Sequence, residues 1–114
     1  MNTPSVALVI LNWNTAFYLE RFLPFLLATS YGNKKIYVID NNSNDGSLEM
    51  LRTRFPMVHT LPMSDNKGFA GGYNFGLNQI KADYYLIVNS DIEVTPGFIE
   101  PLINLLEDNP QIGI

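Results

Sequence analysis

Two stretches of this chain are aliphatic almost without interruption: Val6-Ala7-Leu8-Val9-Ile10-Leu11 and Lys35-Ile36-Tyr37-Val38-Ile39-Asp40. A strand with one wet face alternates apolar and polar residues, so continuous runs of this length read as strands covered on both faces. Tyr84-Tyr85-Leu86-Ile87-Val88-Asn89 is a further strand, and Val58-His59-Thr60-Leu61-Pro62 a weaker one whose proline marks a strand end or sheet edge. Helical patterns separate them. Leu19, Phe22, Leu23 and Leu26 fall on one helical face, with Pro24 expected to kink the helix or start a fresh turn. Ser47 to Phe55 reads as a short helix, and Ala70 to Ile80 as another behind a glycine-containing loop. Thr95-Pro96 reads as an N-cap followed by proline in the first helical position, ahead of a face made by Phe98, Ile99, Leu102, Ile103 and Leu106. Strands alternating with helices imply an α/β fold, a Rossmann-like parallel sheet flanked by helices with right-handed crossovers.

Composition removes whole classes of function. The chain has 114 residues, seven Lys+Arg against eleven Asp+Glu, one histidine and no cysteine. A net charge of −4 does not suit a sequence-independent nucleic-acid binder. Without cysteine there is no disulfide framework, thiolate zinc site or cysteine nucleophile, and His59 alone makes no multi-histidine metal site. The longest apolar run, Val6 to Leu11, is far short of the roughly 20 residues that span a bilayer. Met1-Asn2-Thr3-Pro4 lacks the basic region of a signal peptide. The expected compartment is the cytoplasm, the full-length protein working there or at the inner face of the membrane.

Ligands of open parallel sheets bind beyond the carboxyl ends of the strands. Three strands here end in polar side chains: Asn12-Trp13-Asn14-Thr15, Asp40-Asn41-Asn42-Ser43-Asn44-Asp45-Gly46, and Asn89-Ser90-Asp91. Asn41 to Gly46 also reads as an ordinary turn and helix cap. Asp40 sits directly on an apolar strand, where its carboxylate needs a donor, and a nucleobase imide N–H is one. Asp91 is placed to hold a hard divalent cation together with phosphate oxygens, and Glu93 is either a second carboxylate or plain surface. The loop Asp65-Asn66-Lys67-Gly68-Phe69-Ala70-Gly71-Gly72-Tyr73-Asn74 serves either close approach to a ligand or tight helix packing. It is not the dinucleotide fingerprint. His59 reads as a strand or edge residue. Trp13 and Tyr73 read as core or, alternatively, as stacking partners of a base.

In this order, Val9-Ile10-Leu11-Asn12-Trp13-Asn14, Tyr37-Val38-Ile39-Asp40-Asn41-Asn42-Ser43-Asn44-Asp45-Gly46-Ser47, Asn66-Lys67-Gly68-Phe69-Ala70-Gly71-Gly72-Tyr73-Asn74 and Leu86-Ile87-Val88-Asn89-Ser90-Asp91 resemble the start of family 2 glycosyltransferases, over essentially the whole chain. The likeness is greatest to the bacterial rhamnosyltransferase-like branch, which often carries Asn for the first Asp of its D-x-D metal segment. The resemblance implies the A-type glycosyltransferase fold, cut short at the C-terminus. It also implies inverting transfer from a dTDP- or UDP-linked sugar to a glycan or lipid-linked acceptor, as in polysaccharide biosynthesis. Residues 1–114 would be the N-terminal nucleotide-sugar-binding part. Asn12, Asn14, Asp40, Asn66, Gly68 and Asn89 would bind the donor, with Asp40 on the base, and Asp91 would hold Mg²⁺ or Mn²⁺. Asn89 replaces a charged ligand by a neutral one. The general base is expected beyond Ile114, so no residue here is assigned as catalytic, and the chain alone is expected to bind nucleotide without transferring sugar. The ending Gln111-Ile112-Gly113-Ile114 reads as the start of a fifth strand. Sheet surface left uncovered there would favour a homo-oligomer. Two rival functions stand beside this one: a sugar-phosphate nucleotidylyltransferase, which wants a glycine- and arginine-rich first loop, and a non-catalytic nucleotide-binding or interaction module.

Overall fold

Each apolar run becomes a parallel strand. The computed structural model describes residues 3–109, so the expected fifth strand at Gln111–Ile114 lies outside the described residues. The elements are β1 (Val6–Asn12), α1 (Ala16–Leu27), β2 (Lys34–Asp40), α2 (Ser47–Arg54), β3 (His59–Pro62), α3 (Gly68–Leu77), β4 (Tyr84–Ile87) and α4 (Ile99–Asp108). All three pairings are parallel, and the strand order is β3-β2-β1-β4. The chain steps outward from β1 to β3 and then returns to the far side of β1. The switch point lies between β1 and β4, where a doubly wound sheet opens its ligand crevice.

β1 is buried along nearly its whole length because both faces are covered. Val6, Leu8 and Ile10 face one core with Leu19, Leu23 and Leu26 of α1, Leu51 of α2, and Ile99 and Ile103 of α4. Ala7 and Val9 face a second core with Ile39, Met63, Ile80 and Tyr73 of α3. α3 is the connection that runs back across the sheet, and a right-handed crossover in the reverse direction puts it on the opposite face. It seats closely because two of the residues it turns toward the sheet, Gly72 and Gly76, have no side chain. A Cβ at Gly72 would stand 2.6 Å from Leu11 Cδ1, and one at Gly76 would fall inside the side chain of Ile39. Tight packing is thus the structural use of the glycine-rich helix.

Several boundaries depart from the sequence reading. α1 runs through Pro24 with no fresh turn there; Pro24 itself lies on the exposed side of the helix. α3 begins at Gly68 and ends at Leu77, earlier than the expected Ala70 to Ile80 at both ends. Thr95 is no N-cap: Phe98 N–H donates to Thr95 O (3.3 Å), closing a turn over Pro96-Gly97, and α4 starts only at Ile99. β4 pairs only to Ile87, two residues short of the expected end. Its side chains Tyr85 and Ile87 are exposed, as is Ile92 beyond it. Among the described residues no helix is long and apolar enough to cross a membrane.

Candidate functional site at the carboxyl edge of the sheet

The register fixes the centre of the site. Asn12 and Asp40 close neighbouring strands as paired residues, and both have no exposed surface. Two polar side chains buried side by side must satisfy each other. Asn12 Nδ2 donates to Asp40 Oδ1 (2.7 Å) and to Ser43 Oγ (3.2 Å), while Asn12 Oδ1 accepts from Thr15 N–H (3.2 Å) and from the Thr15 hydroxyl. Asp40 Oδ2 accepts from Ser43 N–H (3.0 Å). The Asp40 carboxylate thus finds its donors inside the protein, with Asn12 and Ser43 standing where a base N–H was expected to be.

The two loops beyond this pair are laced together. Asn14 N–H donates to Ser43 Oγ (2.8 Å), and Asn14 Oδ1 accepts from Asn44 N–H (2.8 Å). Asn14 and Asn42 both take left-handed backbone, at φ 55° and 62°, which asparagine tolerates better than most side chains. Asp45 sits at the start of two helices. Its Oδ2 accepts from Ala16 N–H of α1 (3.0 Å), and its Oδ1 from Ser47 N–H of α2 (3.1 Å) and from the Ser47 hydroxyl. Burial pushes the Asp45 carboxyl up, but the Ser47 hydroxyl and these amides outweigh it and hold the group below its ordinary value.

Asn41 ties in the glycine loop. Its N–H donates to Asn12 O (2.8 Å), its Nδ2 to Gly68 O (3.1 Å), and its Oδ1 accepts from Lys67 N–H (3.0 Å). Asn66 Oδ1 accepts from Gly68 N–H (2.7 Å), and Gly68 lies at φ 75°, where glycine is unstrained. Lys67 Nζ pairs with Asp65 at 3.4 Å.

β4 brings the last segment to the same edge. Val88 N–H donates to Val9 O (2.9 Å), so Asn89 and Asp91 leave the sheet beside the end of β1, both exposed. Among the described residues no group of three or more His, Cys, Asp or Glu side chains gathers to hold a metal ion. One exposed carboxylate with an amide two residues before it suits a hard cation that takes most of its ligands from phosphate and water.

Asn12, Asn14 and Asp40 therefore form one bonded cluster, Asn66 and Gly68 join it through Asn41, and Asn89 and Asp91 stand across the switch point. Trp13 is 55% exposed at this edge, not in the core, whereas Tyr73 is core and burial pushes its phenol up. His59 is exposed on the edge strand β3 and stacks on Tyr37 at 4.9 Å. The bonding roles of Asn41, Ser43 and Asp45 were hidden in a run that also reads as a plain turn. Their only signal was its density of Asn, Asp and Ser directly after an aliphatic strand.

The family model described as "Glycosyl transferase family 2" matches residues 7–114. An N-acetylglucosaminyl-diphospho-decaprenol L-rhamnosyltransferase of Mycobacterium tuberculosis is 25% identical over 97% of this chain and 40% of its own length. S. aureus TarS 1-349, solved in complex with UDP, superposes with a TM-score of 0.81 at 16% identity, over 93% of this chain and 33% of that one. A mannosyltransferase from Pyrobaculum calidifontis, in complex with GDP-Man and Mn²⁺, superposes with a TM-score of 0.70 at 20% identity, over 80% of this chain and 28% of that one. The chain spans less than half the length of the curated relatives it matches.

Proposed function

Because this chain belongs to glycosyl transferase family 2, we propose that it is the nucleotide-sugar-binding part of an enzyme that moves a sugar from a nucleoside diphosphate to a glycan or lipid-linked acceptor, with inversion. The observation that carries this reading is the meeting of three polar strand ends and the glycine loop at the carboxyl edge of a parallel sheet, across its switch point. The names of the structural neighbours, with UDP and GDP-Man bound, support a nucleotide sugar as the ligand. A dTDP- or UDP-linked sugar is the donor of this reading, one neighbour having been solved with UDP.

In this reading the buried Asn12–Asp40 pair holds the floor of the site, and Asn14, Asn66, Gly68 and Asn89 line it. Asp40, which has no exposed surface, acts beneath the base by fixing Asn12 and Ser43, and exposed Trp13 offers an indole face to the base. Asp91, with Asn89 beside it, would hold Mg²⁺ or Mn²⁺, which when bound offsets the charge of a departing diphosphate. The acceptor site and general base belong to the part of the enzyme beyond this chain.

Calorimetric titration of UDP and dTDP, with and without Mn²⁺, tests the assignment. Wild type should bind a diphosphate more tightly with the cation, and Asp91→Asn should erase that gain while leaving metal-free binding unchanged. An undiminished gain in the variant would remove Asp91 from the site. No diphosphate binding by wild type would overturn the reading as a whole.

A further inference from the structure

We propose that Asn41 is a positioning residue: its side-chain amide acts as a surrogate peptide group that sets the backbone of Lys67 and Gly68 at the rim of the site. The inference rests on the nucleotide-binding reading above. The loop from Ser64 to Lys67 that leads into α3 is exposed throughout, and at its junction with the helix Asn41 makes two bonds, one donated to Gly68 O and one accepted from Lys67 N–H, beside the local Asn66–Gly68 bond and the packing of Phe69 on Tyr73. Asn41 is itself 3% exposed and fixed to β1 through its own N–H. Gly72 of α3 packs beside it: a Cβ added there would make an ordinary contact with Asn41 Nδ2 at 3.4 Å. A buried amide at the end of β2 therefore ties the start of α3 and the residue before it to the sheet. At neutral pH the asparagine amide offers a donor and an acceptor on separate atoms without charge.

Asn41→Asp keeps the shape and changes only the chemistry. The ionised carboxylate still accepts from Lys67 N–H but repels Gly68 O, while the protonated acid donates to that oxygen and restores the clamp. Charged groups around the position are Asp40 beside it in the chain and the Lys67–Asp65 pair across from it; β1 and α3 carry none. Asp40 and burial both favour the protonated form, so the clamp should re-form at mildly acid pH.

The experiment measures UDP affinity with Mn²⁺ at about pH 8 and about pH 5 for wild type, Asn41→Ala and Asn41→Asp. Relative to wild type at each pH, the alanine variant should bind roughly tenfold more weakly throughout. The aspartate variant should be roughly tenfold weaker at the higher pH and within about twofold at the lower. Wild-type affinity in Asn41→Ala, or an Asn41→Asp deficit that persists at the lower pH, would overturn the positioning role while nucleotide binding stands. Failure of wild type to bind UDP would instead overturn the site reading and this inference with it. If Asn41→Ala does not fold, the aspartate variant decides. Its deficit at the higher pH should survive about 0.5 M salt, where repulsion of the diphosphate is screened. A deficit that vanishes in salt is simple charge repulsion and refutes the clamp.

Discussion

Replacing Asn12 by alanine should cost this fold a large part of its stability, and the cost can be worked from its bonds. Asn12 Nδ2 is the side-chain donor to Asp40 Oδ1 at 2.7 Å, and neither residue has exposed surface. Losing a hydrogen bond to a charged group costs about 1.5–3 kcal/mol, and an amide left unpaired about 1 kcal/mol or more. Thr15 N–H and the Ser43 hydroxyl also lose a partner. The total is roughly 3–5 kcal/mol, comparable with breaking other buried pairs and a large fraction of the 5–15 kcal/mol typical of a domain. At roughly 4 °C per kcal/mol, the melting temperature should fall by about 12–20 °C. Urea unfolding followed by circular dichroism measures this, with an unchanged m-value showing that the unfolded state is the same. The cost comes mainly from the stranded carboxylate, so Asn12→Ala added to Asp40→Ala should cost much less than it does alone. A loss below about 1 kcal/mol, or additive single and double variants, would refute the reasoning.

Two further outcomes follow from packing and charge. Gly76→Ala should destabilise by about 1–3 kcal/mol, because the new methyl displaces the fully buried Ile39 side chain; a melting temperature equal to wild type would show that α3 slides freely on the sheet. Asp45→Asn should weaken the starts of α1 and α2 together. Since the folded Asp45 carboxyl lies below its ordinary value of 3.8, its contribution is present above about pH 4 and lost as pH falls through the folded value. The stability gap between wild type and variant in urea titrations should therefore close on acidification, and a gap that widened would reverse the assignment.

The sheet was legible because β1 and β2 are covered on both faces, and a strand in that position has little freedom in composition. The site was legible where a polar residue ends an aliphatic strand: Asn12, Asp40 and Asn89 each announce a sheet edge. What stayed hidden depends on partners distant in sequence. Nothing local marks Asn41 as the clamp of a loop 26 residues away, or Gly76 as the seat of Ile39. Trp13 reads either as core or as a stacking partner of a base, and local sequence does not decide between them; it sits past the buried end of β1 and is exposed. Thr95-Pro96 has the composition of a helix start, but the same two residues open a turn with Gly97 and Phe98, and local preference does not separate the two.

The strand order also ranks the pairings by the chain entropy each must overcome. Val6 pairs with Lys34 on one side and with Tyr84 on the other, and Ser5 N–H reaches Asp83 across 78 residues of chain. Closing the longer loop costs about 0.9 kcal/mol more than closing the shorter one, before any contact compensates. The β1-β2-β3 half rests on the nearer closures, so it assembles at the smaller entropic cost. Taken as independent closures, the β1-β4 pairing that brings Asn89 and Asp91 to the edge is the more costly of the two made by β1.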